Sequence, residues 1–301
     1  LPPAASSWAP RSPRWPEMSA GLRGSTVAII GLGLMGGSLA RELAAFGVHV
    51  LGYDADPDTA QRASESGVFG AILDDSLEGV AAADLVVLAV PVNRAEEALA
   101  RALPWIAPHC IITDLGSTKR SIEDVATRLG VAERFVGSHP LTGDHRSGWG
   151  ASHRDLYAWQ RVYLCPTPRT RPEAVEQIRL LWDSVGALPE LIAAAEHDRR
   201  VAWTSHLPQL TATALGLALA DADQPRAELG PGGRDTTRLA SSSPEMWSAI
   251  CADNAAFIEP ALREFERHLS ELREAIARRN EAEIGALFAR ARAWAEEQRL
   301  P

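Results

Sequence analysis

Lysine is almost missing from this chain. Of 30 basic residues in 301, Lys119 is the only lysine and the rest are arginine. Chemistry that needs a lysine beyond residue 119 is therefore closed to it. Cysteine is also sparse: Cys110, Cys165 and Cys251 are widely spaced, odd in number and never in a C-x-x-C pair. That disfavours a disulfide framework or a structural zinc site and fits a reducing cytoplasm. Long apolar runs are absent too. The longest, residues 85–90, falls far short of the roughly 20 residues needed to span a bilayer. The first 17 residues are rich in Pro, Ser and Trp and lack the apolar stretch of a signal peptide. Met18 is the expected start, and residues 1–21 are expected to be a disordered extension outside the fold.

What is present is an ordinary globular mix, 46% hydrophobic and 23% charged, with a net charge of −9 that disfavours a nucleic-acid or anionic-membrane surface. Short apolar runs at residues 26–30, 48–53, 71–73, 85–90, 111–114 and 135–138 alternate with helical patterns at 38–46, 57–66 and 121–129. Several of these runs are apolar on successive residues, as parallel strands covered on both faces require. The alternation predicts an α/β fold with a doubly wound sheet, completed by a strand at 161–165, a helix at 172–185 and a last strand at 188–191.

After residue 193 the pattern becomes helical. The expected division is an α/β domain over 22–193 and an all-helical domain over 194–301. Residues 196–220 read as one long helix, and 221–243 as a loop around a Gly-Pro-Gly-Gly cluster. Ser243 followed by Pro244 and Glu245 is a good helix start. The helix expected from there carries one apolar stripe from Trp247 to Ile276. Such a stripe suits burial against a partner helix, and a homodimer is expected on it.

The run at 26–30 leads directly into Gly31, Gly33 and Gly36 of a G-x-G-x-x-G turn, with Leu34 and Met35 between the last two. Glycines at this spacing permit a tight turn, close approach of a pyrophosphate, and close packing of helix on strand. Asp54 ends the second strand, where an acid accepts hydrogen bonds from ribose hydroxyls and repels a 2′-phosphate. The cofactor expected is NAD, with Val90 and Pro91 at the end of a neighbouring strand completing the site. The alternative is a tight structural turn without a cofactor.

Two further strands end in chemically suggestive residues, Ser117 to Lys119 and His139. In an open parallel sheet, ligands bind outside the carboxyl ends of the strands, so these residues share an edge with the glycine turn. Any one of them alone is equally well an ordinary loop residue.

Together the motifs resemble prephenate dehydrogenases: the glycine turn, Asp114-x-Gly-Ser-x-Lys119, Gly-Ser-His139-Pro, Glu-His197-Asp198 followed by His206-Leu-Pro-Gln, and Asp235-x-Thr-Arg238. The resemblance spans residues 26–250. It implies NAD-dependent oxidative decarboxylation of prephenate on the route to tyrosine, in a Rossmann domain followed by a helical dimerisation domain. It also implies that His139 is the base taking the ring-hydroxyl proton and that Ser117 orients it. Arg238 then clamps the side-chain carboxylate, with Asp235 supporting it, and His206 and Lys119 contact the substrate. His197 and Asp198 read as structural, capping or interdomain residues, because a regular helix places His197 and His206 on nearly opposite faces.

Where relatives carry an acid six residues after the histidine, this chain has His145, preceded by Asp144. The choice between prephenate and arogenate therefore stays open. Two rivals remain. Dehydrogenases of similar layout that use a lysine after the Rossmann domain are disfavoured by the missing lysine. A non-catalytic NAD-binding regulator has no need of His139, Ser117 and Arg238 together.

Overall fold

The computed structural model describes residues 22–143 and 146–297. The expected extension over 1–21 and the Asp144–His145 pair lie outside those residues. The strands are Thr26–Ile30 (β1), His49–Tyr53 (β2), Ala71–Ile72 (β3), Leu85–Leu88 (β4), Ile111–Asp114 (β5), Phe135–Pro140 (β6), Arg161–Pro166 (β7) and Leu188–Leu191 (β8). They form one sheet in the order β3-β2-β1-β4-β5-β6-β7-β8. Every neighbouring pair is parallel except β6 with β7, where His139 lies opposite Tyr163.

Helices cover both faces. Leu34–Ala45 (α1), Pro57–Ser64 (α2), Ala95–Ala102 (α3), Arg120–Arg128 (α4) and Pro172–Ser184 (α5) follow β1, β2, β4, β5 and β7 in turn. Side chains alternate along β1: Val27 and Ile29 enter one apolar cluster with α1 and α5, while Ala28 and Ile30 enter the other with α3 and α4. Burial on both faces is why these strands read as continuous apolar runs. Each fully buried aliphatic side chain contributes about 1.5–3 kcal/mol relative to exposure.

The helical part departs from the sequence reading at three places. The expected helix over 196–220 is instead Ala194–Val201 (α6), a π turn at Ala202–His206, and Leu207–Asp221 (α7). Pro208 explains the wide turn: it has no N–H for the carbonyl of Thr204 and its ring would clash there in a regular helix. The expected loop contains a helix, Pro231–Thr236 (α8), followed by a 3₁₀ turn at Arg238–Ser241. Pro231 presets the first helical φ, and Thr236 and Thr237 bond back to the carbonyls of Gly232 and Gly233. The single long apolar helix is two, Pro244–Asp253 (α9) and Ala255–Ala277 (α10), with Glu281–Glu297 (α11) after them. Ser243 does cap its helix, accepting from the Met246 N–H at 3.2 Å.

Two units result, one comprising residues up to Asp198 plus Ser241–Asp253, the other Arg199–Ala240 and Asn254 onward. The chain thus returns to the first unit for α9, which packs on the turn at Val92–Arg94 and receives a hydrogen bond from Ser121 at Asp253, 2.8 Å. In the second unit α10 packs on the π turn, α7 and α11. No helix among the described residues is long and apolar enough to cross a membrane.

Trp182 of α5 is fully buried, edge-on to Tyr157 at 5.1 Å, and donates to the Ser138 hydroxyl at 3.0 Å. Trp182→Ala is expected to cost about 3–5 kcal/mol through the cavity and the lost bond. A urea midpoint unchanged from the parent would contradict this account of the core.

Candidate active site

A cavity of about 540 Å³ opens at the carboxyl ends of β1, β2 and β4, lined by Gly31, Gly33, Tyr53, Asp54, Val90 and Pro91 among others. The three glycines have separate reasons to be there. Gly31 sits at φ +99°, and a Cβ on it would lie 2.4 Å from the Ala89 carbonyl oxygen. A Cβ on Gly36 would meet the Gly31 carbonyl at 2.0 Å, so it sets how closely α1 approaches β1. A Cβ on Gly33 would meet nothing within 4 Å. Its smallness therefore serves something outside the chain, and it stands at the N-terminus of α1, which has no side-chain cap and no acid in its first turn. An uncapped, unopposed helix N-terminus beside an open glycine fits a pyrophosphate.

Asp54 braces this turn. One carboxylate oxygen accepts the Leu32 N–H at 2.7 Å and the other the Asp56 N–H at 2.9 Å. Both oxygens keep lone pairs for hydroxyl donors, and an adenosine ribose fits them. Leu34 and Met35 form the first turn of α1 and pack partly on the core, and the Met35 carbonyl accepts from the Tyr157 hydroxyl at 2.6 Å.

The sequence reading missed the far wall. Arg94 and Arg101 line the same cavity. Arg101 donates to the Tyr53 hydroxyl at 3.3 Å and to the Asp75 carbonyl at 2.9 Å, and Tyr53 in turn donates to the Asp75 carboxylate at 2.8 Å. Nothing local marks Arg101 as a site residue, because only the crossover through α3 brings it to Tyr53.

At the next strands of the same edge the structure gathers a polar cluster. His139, near the end of β6, is half-buried, and its Nδ1 lies 2.8 Å from Nε2 of His197. His197 is fully buried, with its Nδ1 2.7 Å from an Asp198 carboxylate oxygen. Asp198 also accepts the backbone N–H groups of Lys119 at 2.8 Å and Arg120 at 2.9 Å, capping α4. Burial pushes the His197 imidazole below its ordinary pKa. Burial alone would raise Asp198, but the hydrogen bonds from His197 and the two amides outweigh it and hold the carboxyl below the usual range. The pair is thus a carboxylate and a neutral imidazole.

One expectation changes here. Lys119, expected at the substrate, is wholly buried and pairs with the Asp114 carboxylate, whose pKa burial pushes up against the pull of that ammonium. Asp114 also accepts from Gly116 N–H at 2.8 Å and Ser138 N–H at 3.3 Å, so the lysine braces the ends of β5 and β6. The contact found at His139 Nδ1 comes from His197, which the sequence reading set aside. Ser117 is half-buried, and a neighbouring hydroxyl, that of Thr118, is buried with no partner in the protein. The reading that set His197 aside assumed a regular helix through His206, and the π turn removes that premise.

The remaining expected residues belong to the second unit. There His206 shares a 3.1 Å hydrogen bond with the Asn254 amide, and Gln209 donates to the Leu239 carbonyl at 2.7 Å. Asp235 lies in the last turn of α8 and Arg238 opens the following 3₁₀ turn, both exposed.

Comparison with known proteins agrees with this geometry. Residues 39–190 match the family model of the prephenate dehydrogenase nucleotide-binding domain, and 193–290 that of the prephenate dehydrogenase dimerization domain. A cyclohexadienyl dehydrogenase of Zymomonas mobilis is 34% identical, over 83% of this chain and 88% of its own. The solved prephenate dehydrogenase of A. aeolicus, in complex with hydroxyphenyl propionate and NAD+, superposes with a TM-score of 0.83 at 31% identity, covering 92% of this chain and 99% of that one. An arogenate dehydrogenase from Synechocystis gives 0.78 at 27% identity, covering 90% and 99%. With both family models placed in order along it, this chain belongs to the prephenate dehydrogenase family.

Proposed function

We propose that the protein catalyses NAD-dependent oxidative decarboxylation of prephenate to 4-hydroxyphenylpyruvate. The observation that carries this is the placement of a half-buried histidine, held by a buried second histidine, on the same sheet edge as an open glycine turn. NAD supplies the hydride acceptor. Gly33 and the N-terminus of α1 hold its pyrophosphate, and Asp54 accepts from its ribose.

His139 takes the proton of the ring hydroxyl as the hydride leaves the same carbon. The bond to the ring carboxylate then breaks, its electron pair enters the ring, and carbon dioxide departs. His139 returns its proton to the phenolic oxygen, so no proton is gained or lost overall. Aromatisation drives the step, and the residues need only orient, hold charge and exclude water. Arg238 is assigned to the side-chain carboxylate, where a planar guanidinium makes a bidentate contact. Asp235 supports Arg238, and His206 and Ser117 complete the contacts to the substrate. The Synechocystis relative makes arogenate the second reading, in which an ammonium replaces the keto group.

The second unit exposes Leu217, Leu269, Ile276, Phe288 and Trp294 along α7, α10 and α11. Apolar side chains in that number suit a homodimer, as does the name of the matching domain family. Light scattering is expected to give about twice the 32.4 kDa chain mass, and a monomeric mass at micromolar concentration would contradict it.

NADH absorbance with prephenate, and separately with arogenate, tests the reaction. His139→Asn is expected to lower kcat by about 10²–10⁴-fold while NAD still binds. Turnover of neither substrate by the parent protein, with NAD bound, would refute the assignment. Gly33→Val is expected to weaken NAD binding at least about tenfold with little change in unfolding midpoint, because its side chain enters only the ligand's space. Arg238→Ala is expected to raise KM for the substrate without altering NAD affinity, and an unchanged KM would remove the arginine from the site.

A further inference from the structure

Three groups form a chain of hydrogen bonds leading to the proposed base. Asp198 accepts from two backbone amides at the start of α4, and a carboxylate has only acceptors to offer. The proton in its 2.7 Å contact with His197 must then sit on His197 Nδ1. A neutral imidazole with a proton on Nδ1 carries its lone pair on Nε2. That lone pair faces His139 Nδ1 at 2.8 Å, so the proton in this second contact belongs to His139 Nδ1. Each link dictates the next.

We propose that Asp198 and His197 are positioning residues that hold His139 in its Nδ1-protonated tautomer, leaving Nε2 as the nitrogen that takes the substrate proton. The tautomer follows from the contacts alone, whereas the use of Nε2 rests on the dehydrogenase reading above. Once Nε2 is protonated, the imidazolium donates from Nδ1 to the His197 lone pair, with the Asp198 charge behind it. Lys119 is paired with Asp114 on the β5 side, Arg120 is exposed, and Tyr163 of β7 presents its ring edge-on to His197 at 5.4 Å. Burial holds His197 neutral, and hydrogen bonds hold Asp198 ionised.

Asp198→Ala would remove the oxygen that holds the His197 proton on Nδ1. Without that acceptor His197 takes its proton on Nε2 in part of the population, and there His139 shifts to the opposite tautomer, with its base nitrogen occupied. Histidine ¹⁵N-labelled protein reads this directly, since protonated and lone-pair ring nitrogens resonate far apart. The parent protein is expected to show His139 protonated on Nδ1, and Asp198→Ala to show a substantial share protonated on Nε2. In the same variant kcat is expected to fall about 10²–10⁴-fold, as when the acid that sets a histidine tautomer is lost. KM and NAD affinity should stay within about twofold, marking a loss confined to the chemical step.

A proton on His139 Nε2 in the parent protein would overturn the proposal, and this measurement needs no variant to fold. A tautomer unchanged in Asp198→Ala would overturn it as well. Absence of prephenate and arogenate turnover by the parent protein, with the Nδ1 tautomer observed, would refute the reaction while leaving the relay in place.

Discussion

The Asp198 carboxylate is the contact on which the active edge depends. It stands midway along α6, and it accepts from the first amides of α4 and from the ring of His197. Those bonds tie the β5–α4 turn to α6, and through His197 to the end of β6. Bonds to a buried charge are each worth about 1.5–3 kcal/mol, and removing a partner leaves an uncompensated ion. The carboxylate therefore fixes geometry and proton placement at once. No hydrophobic contact does both.

A second buried pair supports the same edge from within the sheet. Lys119 and Asp114 lie on one turn, and Asp114 reaches the Ser138 amide, directly before His139. The Ser138 hydroxyl is shared with Thr113 at 2.8 Å and Trp182 at 3.0 Å. The proposed base thus rises from a strand end pinned by polar contacts on one side and by a large indole on the other. Such redundancy suits a group whose reach must be set to a fraction of an ångström. The glycine turn is governed differently. There the chain withholds atoms, and Asp54 shapes the loop through backbone amides while keeping lone pairs for a ligand.

Much of the first unit was legible because its determinants are local. The runs at β1 and β5 coincide with their strands, since burial on both faces leaves an uninterrupted signature. The glycine turn was equally readable, because φ and close approach act within a few residues. The helical half was less so. Pro208 displaces a helix into a π turn, Pro231 starts a helix in a stretch that composition marks as loop, and the stripe from Trp247 to Ile276 spans two helices in different units. In each case periodicity identified apolar faces but not the point at which the chain changes direction.

The sequence by itself determined the sheet, the glycine turn and the identity of His139 as a strand-end residue, because those follow from side-chain alternation and backbone sterics over short spans. Only the tertiary structure decided what His139 touches. It buried Lys119 against Asp114 and brought His197 and Asp198 to the β6 edge, and it set Arg101 against Tyr53 across the cavity. Hydrogen bonds between residues tens of positions apart depend on distances of tenths of an ångström, and no local pattern of polarity encodes those.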